Sequence, residues 1–275
     1  MTTISSGTVP PTPSEPHRHR AMAESFGVDA ERYDRTRPHY PDAMVTALVA
    51  TAPGPDALDV GCGTGIEARQ LQAAGWRVLG LDPDERMAAF ARGTGVDVEV
   101  ATFEDWDPRG RDFDAVIAAT AWHWVDPVAG AAKAARILRP DGLLALIWNV
   151  GQPPSVVGRA FATACERMVP DLPGTLNAER PAVELYQAMF DKAADGIRAT
   201  PDLSKPRQER WDWQQDYTRE QWLDVLPTQG LLTRLAPEPL AEVLAEVGAA
   251  IDSLGGGFTM DYATVAVTAT RTAAG

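Results

Sequence analysis

From Ala57 to Ile147, five short apolar runs alternate with segments of helical spacing, and no other feature of this 275-residue chain restricts its fold so tightly. Strands separated by helix-length segments cannot close as hairpins, so the alternation predicts a parallel sheet with helices on both faces. The candidate strands are Ala57–Val60, Val78–Leu81, Val96–Val100, Asp114–Ala118 and Leu143–Trp148. Between them, Glu67–Ala74, Glu85–Arg92 and Val128–Leu138 have the lengths and spacings of helices. Arg139-Pro140-Asp141-Gly142 reads as a sharp turn into the last parallel strand.

The pattern changes on either side. Residues 1–20 are rich in Pro, Ser, Thr and His and cannot bury enough apolar surface to order themselves, which predicts a disordered tail. Residues 20–52 contain two helical stretches, the second starting at about Pro41. Residues 21–150 are therefore expected to form the core. Residues 151–206, with helices near Val156–Val169 and Val183–Lys192 around a Pro-, Gly- and Asn-containing loop, are expected to form a helical insert that caps the substrate. Residues 207–275 complete the sheet: Arg207–Tyr217 and Tyr262–Thr270 read as an antiparallel pair, with helices near Glu220–Leu226 and Glu238–Leu254 between them. In the latter, Glu238, Glu242 and Glu246 mark a solvated face, opposite Leu240, Val243, Leu244 and Val247.

A net charge of −13 argues against a sequence-independent grip on nucleic acid and leaves a small molecule as the expected partner. No apolar run approaches the roughly 18 residues of a membrane span, and no basic segment leads into a hydrophobic one at the N-terminus, so the expected location is the cytoplasm. Cys62 and Cys165 read as free thiols, and no Cys or His spacing suggests a metal site.

The chemistry is expected at Asp59-Val60-Gly61-Cys62-Gly63-Thr64-Gly65, where a buried strand gives way to a helix. Three glycines in five residues let backbone approach a ligand closely and adopt positive φ. A dinucleotide site needs a further glycine at position 66, where Ile66 stands. Asp82 closes the second strand 17 residues past Gly65, where a carboxylate can accept from both hydroxyls of a ribose.

With these residues, the chain resembles the class I S-adenosylmethionine-dependent methyltransferases over roughly residues 30–150, and within them the trans-aconitate methyltransferase-like subgroup. The closer match rests on Tyr33 with Arg37-Pro38-His39-Tyr40-Pro41, the Asp59–Gly65 loop, Thr102-Phe103-Glu104, Ala121-Trp122-His123-Trp124, Leu138-Arg139-Pro140-Asp141-Gly142, and Tyr262-Ala263-Thr264-Val265. The resemblance implies a Rossmann-like seven-stranded, mostly parallel sheet with an antiparallel C-terminal strand and a helical insert after the fifth strand. It implies that Gly61, Gly63 and Gly65 hold the methionine part of S-adenosylmethionine, that Asp82 holds ribose, and that Thr102 and Phe103 border adenine. Tyr33, Arg37, Asp59, Cys62, Pro83, Met87 and Ala119 complete the implied cofactor site. Thr102 departs from the many relatives that place an acidic residue there.

His123 is the candidate general base, with an ordinary pKa near neutrality. Trp122, Trp124, Trp148, Trp211 and Trp213 are candidates for an aromatic pocket over the strand ends, and Arg159, Arg180, Arg207 and Arg210 for contact with an anionic acceptor. The expected reaction is methyl transfer by in-line displacement, with a carboxylic acid or other natural product as oxygen acceptor. Cofactor binding without transfer, and non-methyl chemistry such as cyclisation, remain open alternatives.

Overall fold

The computed structural model describes residues 24–168 and 180–272. The tail expected at 1–20 and the loop after Met168 lie outside the described residues. The order of elements is a 3-10 turn Glu24–Asp29, α1 (Ala30–Thr36), α2 (Asp42–Thr51), β1 (Asp56–Val60), α3 (Ile66–Ala73), β2 (Arg77–Asp82), α4 (Glu85–Gly93), β3 (Asp97–Val100), β4 (Phe113–Ala119), α5 (Pro127–Ile137), β5 (Leu138–Gln152), α6 (Ser155–Met168), α7 (Ala182–Arg198), β6 (Arg207–Thr218), α8 (Arg219–Val225), α9 (Pro237–Asp252) and β7 (Gly257–Thr270). The seven strands form one sheet in the order β3-β2-β1-β4-β5-β7-β6. The first five are parallel, and β7 joins both β5 and β6 antiparallel. Strand order reverses between β1 and β4, which opens a crevice at the carboxyl ends of those strands.

The two faces of the sheet follow from the two-residue period of its strands. Leu58 and Val60, Val116 and Ala118, and Leu144, Leu146 and Trp148 point into one apolar cluster, roofed by α5 and α7. Ala57, Ala115 with Ile117, and Leu143, Ala145 and Ile147 point into the other, under α2, α3 and α4. A third cluster joins α6, α8, α9 and the start of β7, where Val243 and Val247 are fully buried.

The expected turn at Arg139–Gly142 is absorbed into β5, which starts at Leu138 and runs for 15 residues. Asp141 takes a left-handed φ of 61°, and the register against β4 slips between Phe113 and Ala115. A single left-handed residue thus reorients the chain without ending the strand, because Asp141 N and Gly142 O are both taken up by the backbone of Arg271.

Helix starts obey local chemistry. Asp84 caps α4 and Asp126 caps α5, the latter with Pro127 in the first turn. Thr218 and Gln221 form a reciprocal capping box at α8, the helix that carries Trp222. Thr218→Ala is expected to lower stability by about 1 kcal/mol, read as a shift of the urea midpoint with an unchanged slope.

Candidate functional site

Two cavities meet above the carboxyl ends of β1, β2 and β4. One, about 470 Å³, is bordered by Leu81, Asp82, Pro83, Met87, Thr102, Phe103, His123 and Trp124. The other, about 370 Å³, is bordered by Tyr40, Asp59, Cys62 and Glu67 on the sheet side and by side chains of α6, α7, α8 and β7 opposite. Tyr33, Arg37, Gly61, Gly63, Ala119 and Thr120 border both, so the cavities share a wall at the glycine turn.

The turn is held by β2 beneath it. Gly61 N and Cys62 N both donate to Leu81 O, at 2.7 and 3.1 Å, and Gly63 N donates to the Asp82 carboxylate at 2.8 Å. Gly61, Gly63 and Gly65 have φ of 70°, 54° and 84°, the region in which glycine costs least. A side chain on Gly61 would meet the Ala121 methyl at 2.5 Å, whereas one on Gly63 would point into space with nothing within 4 Å. Gly65 borders neither cavity; it caps α3, and its amide closes the turn on Cys62 O at 2.8 Å.

Asp82 accepts a second backbone donor, Asp84 N, at 2.9 Å. Burial nevertheless pushes its carboxyl up from 3.8 to about 6, with the two backbone hydrogen bonds opposing the rise. Asp59 rises to about 7, through burial and then the charge of Asp82, and Glu67 is likewise pushed well up, by burial and then the charge of Asp59. His123 goes the other way: burial alone lowers it to about 4, so its imidazole is neutral at pH 7, and Nδ1 has no partner within the protein.

The elements at the two ends of the chain close over this site. Arg37 lies over the Tyr33 ring at 4.7 Å and donates to Thr228 O, and Arg32 and Arg35 both pair with Asp224 of α8. Thr120 is a non-glycine residue at φ 54°; its amide donates to Ile147 O at 2.6 Å and its hydroxyl meets Tyr40 OH at 3.2 Å. Left-handed backbone at a branched residue persists only where the surroundings enforce it.

Of the five tryptophans expected over the strand ends, Trp124 alone borders a cavity. Trp122 and Trp148 are core, Trp211 packs against the cluster under α2, and Trp213 stacks on Tyr262 with ring centroids 4.4 Å apart. The aromatic wall comes instead from Phe161, Tyr186, Trp222 and Tyr262. Of the four arginines, Arg180 reaches the smaller cavity, paired with Glu184 at 3.3 Å; Arg207 and Arg210 are exposed on β6, and Arg159 borders neither cavity. Glu67, Thr120, Tyr186, Trp222 and Gln229 escaped the sequence reading. The last three are brought in from the C-terminal half and carry no local signal. Among the described residues no three His, Cys, Asp or Glu side chains group as a metal site, and no helix is long and apolar enough to cross a membrane.

A doubly wound sheet with a glycine turn and a terminal carboxylate at its switch point defines an α/β domain of the Rossmann-like type. Residues 58–146, which run from β1 into β5, match the family model of the methyltransferase domain. An uncharacterised methyltransferase of Mycobacterium tuberculosis H37Rv is 37% identical over 132 residues, 47% of this chain and 54% of the relative. Nocamycin O-methyltransferase of Saccharothrix syringae is 40% identical over 121 residues, covering 40% of this chain and 42% of that one. The chain thus spans about half the length of the curated relatives it matches. A solved structure from Anaeromyxobacter dehalogenans, described as a type II methyltransferase, superposes with TM-score 0.59 at 26% identity over 84% of this chain and 97% of that one.

Proposed function

We propose that the larger cavity and the shared wall bind S-adenosylmethionine, and that the chain transfers its methyl group to a small organic acceptor in the smaller cavity. The observation behind this reading is the common boundary at Gly61, Gly63, Ala119 and Thr120: a nucleoside reaching from Asp82 along the turn meets the second cavity at its middle. The residues present fit such a ligand. Each Asp82 oxygen accepts one backbone N–H and keeps a second lone pair for a ribose hydroxyl. Met87 and Phe103, both buried, with Pro83 and Thr102, offer a mostly apolar slot for the base. Gly63 leaves open the space a side chain would fill, and Arg37 Nε is buried without a partner, available to a carboxylate.

The cofactor when bound supplies an electrophilic methyl on a sulfonium whose leaving group is a neutral thioether. The chain's own contribution is alignment and exclusion of water. Residues 151–206 are assigned to the acceptor cap through Val157, Phe161, Leu185 and Tyr186, and residues 207–275 add Trp222, Met260 and Tyr262 to it. His123 is assigned to the adenosine-side wall: it borders the larger cavity, and an imidazole lowered to about 4 is a weak base. Oxygen is the proposed acceptor atom, in keeping with the O-methyltransferases of nocamycin formation and of ubiquinone biosynthesis in Bradyrhizobium diazoefficiens, the latter 35% identical over 94 residues. For a carboxylic acid acceptor, Arg180 is the proposed counter-charge.

Calorimetric titration of the full chain with S-adenosylmethionine, S-adenosylhomocysteine and NAD tests the cofactor. Both sulfur nucleosides are expected to bind and NAD not. Asp82 must be ionised to accept from ribose, so affinity is expected to be full above pH 6 and to fall up to tenfold per unit below it. Binding of NAD without either sulfur nucleoside would overturn the reading.

A further inference from the structure

The sheet has two edges, and the chain treats them differently. At one, β3 is a strand of four residues; at the other, β6 runs for 12 residues, pairs with β7 without a break in register, and has no strand on its outer side among the described residues. A short edge offers little backbone to a second chain, whereas a long regular one is a template for pairing. Neither a bulge nor a proline interrupts β6.

The ladder decides which groups that edge presents. Arg219 N, one step beyond the last pair Thr218–Gly257, donates to Gly256 O at 2.9 Å, so the odd-numbered residues of β6 are those that exchange hydrogen bonds with β7. Thr218 N accordingly points elsewhere and donates to the Gln221 side chain. Gln208, Arg210, Asp212, Gln214 and Asp216 thus turn their N–H and C=O groups to the open side, and all five are exposed. Their side chains share one face, where Arg210 precedes Asp212, with Arg210 Nε 2.7 Å from Asp212 Oδ1.

This order complements itself. Two β6 strands paired antiparallel about a two-fold axis at Trp211 set Arg210 of each copy opposite Asp212 of the other. Moving the axis by one residue sets Arg210 against Arg210 or Asp212 against Asp212, so the charges oppose those registers. In the complementary register Gln208 also faces Gln214, and about eight backbone hydrogen bonds form between the copies. The half-buried Trp211 indoles meet at the axis in the closer, non-hydrogen-bonded type of pair.

We propose that β6 is a homodimer edge, where a second copy of this chain joins the two sheets into one through the Arg210–Asp212 pairs. A two-fold contact requires a patch that is its own complement, and this strand supplies one. Two edge strands bury less than a standard interface, so the dimer is weak, with a Kd of the order of 10 µM. The proposal does not depend on the cofactor reading above.

Sedimentation velocity of the full chain over a concentration series tests it. The wild type is expected mostly as monomer at about 1 µM and mostly as dimer at about 100 µM. Asp212→Arg sets like charges opposite each other on both sides of the axis and is expected to weaken association by about tenfold or more. Arg210→Asp combined with Asp212→Arg inverts the order without losing the complementarity, and is expected to restore the wild-type constant to within about threefold. Both side chains are exposed, and circular dichroism checks that the variants fold as the wild type does. A chain that stays monomeric at about 100 µM overturns the proposal. So does a dimer that Asp212→Arg leaves unchanged, or one that the double exchange fails to restore, because the copies then meet elsewhere.

Discussion

Asp82→Ala is expected to weaken S-adenosylhomocysteine binding by about 100-fold or more while leaving the protein folded. The carboxylate has two duties at once. It accepts Gly63 N at 2.8 Å and Asp84 N at 2.9 Å, which fixes the glycine turn against the end of β2, and it faces the larger cavity where a ribose would lie. Each charge-assisted hydrogen bond to a bound ligand contributes about 1.5–3 kcal/mol, and a loosened turn adds an ordering cost to binding, so a loss of about 2.7 kcal/mol or more is the expected minimum. Stability suffers less. Folding raises this carboxyl from 3.8 to about 6, so the folded form holds the proton more tightly, and stability falls as pH rises through that window. At pH 7 removal of the carboxylate relieves that penalty, partly offsetting the two lost backbone hydrogen bonds. Calorimetry with circular dichroism melting separates the effects; affinity unchanged in a folded Asp82→Ala protein would remove Asp82 from the site.

The second large effect is expected at Gly61. Alanine there takes on a left-handed φ of 70°, at about 1–2 kcal/mol, and places its methyl 2.5 Å from the Ala121 side chain, where overpacking costs a further 1–3 kcal/mol. Gly61→Ala is thus expected to lose about 2–5 kcal/mol of stability, and nucleoside binding with it, because its amide is pinned to Leu81 O and the turn cannot yield without leaving β2. Gly63→Ala provides the contrast. Its φ of 54° carries a similar backbone penalty, but its methyl meets nothing within 4 Å, so stability falls by only about 1–2 kcal/mol while the methyl intrudes on both cavities and affinity drops. Equal melting temperatures for the two variants would contradict the packing argument at Ala121.

Most of this architecture is legible before any coordinates, and the reason is periodicity. The strands from Ala57 to Trp148 announce themselves as apolar runs because a parallel strand buried on both faces is mostly apolar, and Gly61, Gly63 and Asp82 announce themselves because a tight turn at a strand end, with positive φ and a carboxylate to accept its amide, needs those residue types at that spacing. Where the reading missed, local pattern was outweighed. Arg139–Gly142 has turn chemistry, yet the strand continues through it because Arg271, some 130 residues later, takes up Asp141 N and Gly142 O. Trp148 and Trp122 were candidates for a pocket wall, but a residue at a strand end can face either the cavity or the roof, and α5 and α7 draw these two into the core.

What the amino-acid sequence determined by itself is the doubly wound half of the molecule, its order of strands and helices, and the glycine turn at the end of β1, since each depends on contacts between neighbours in the chain or on residue types that only one geometry accommodates. What only the tertiary structure decided is which side chains line the smaller cavity. Phe161, Tyr186, Trp222 and Tyr262 arrive from four separate elements, and Glu67, an ordinary acidic residue at a helix start by its sequence, becomes a buried carboxyl without a hydrogen-bond partner, near Asp59 of β1. Burial and long-range juxtaposition have no period in the sequence to reveal them; they exist only once the third cluster has packed the C-terminal half over the sheet.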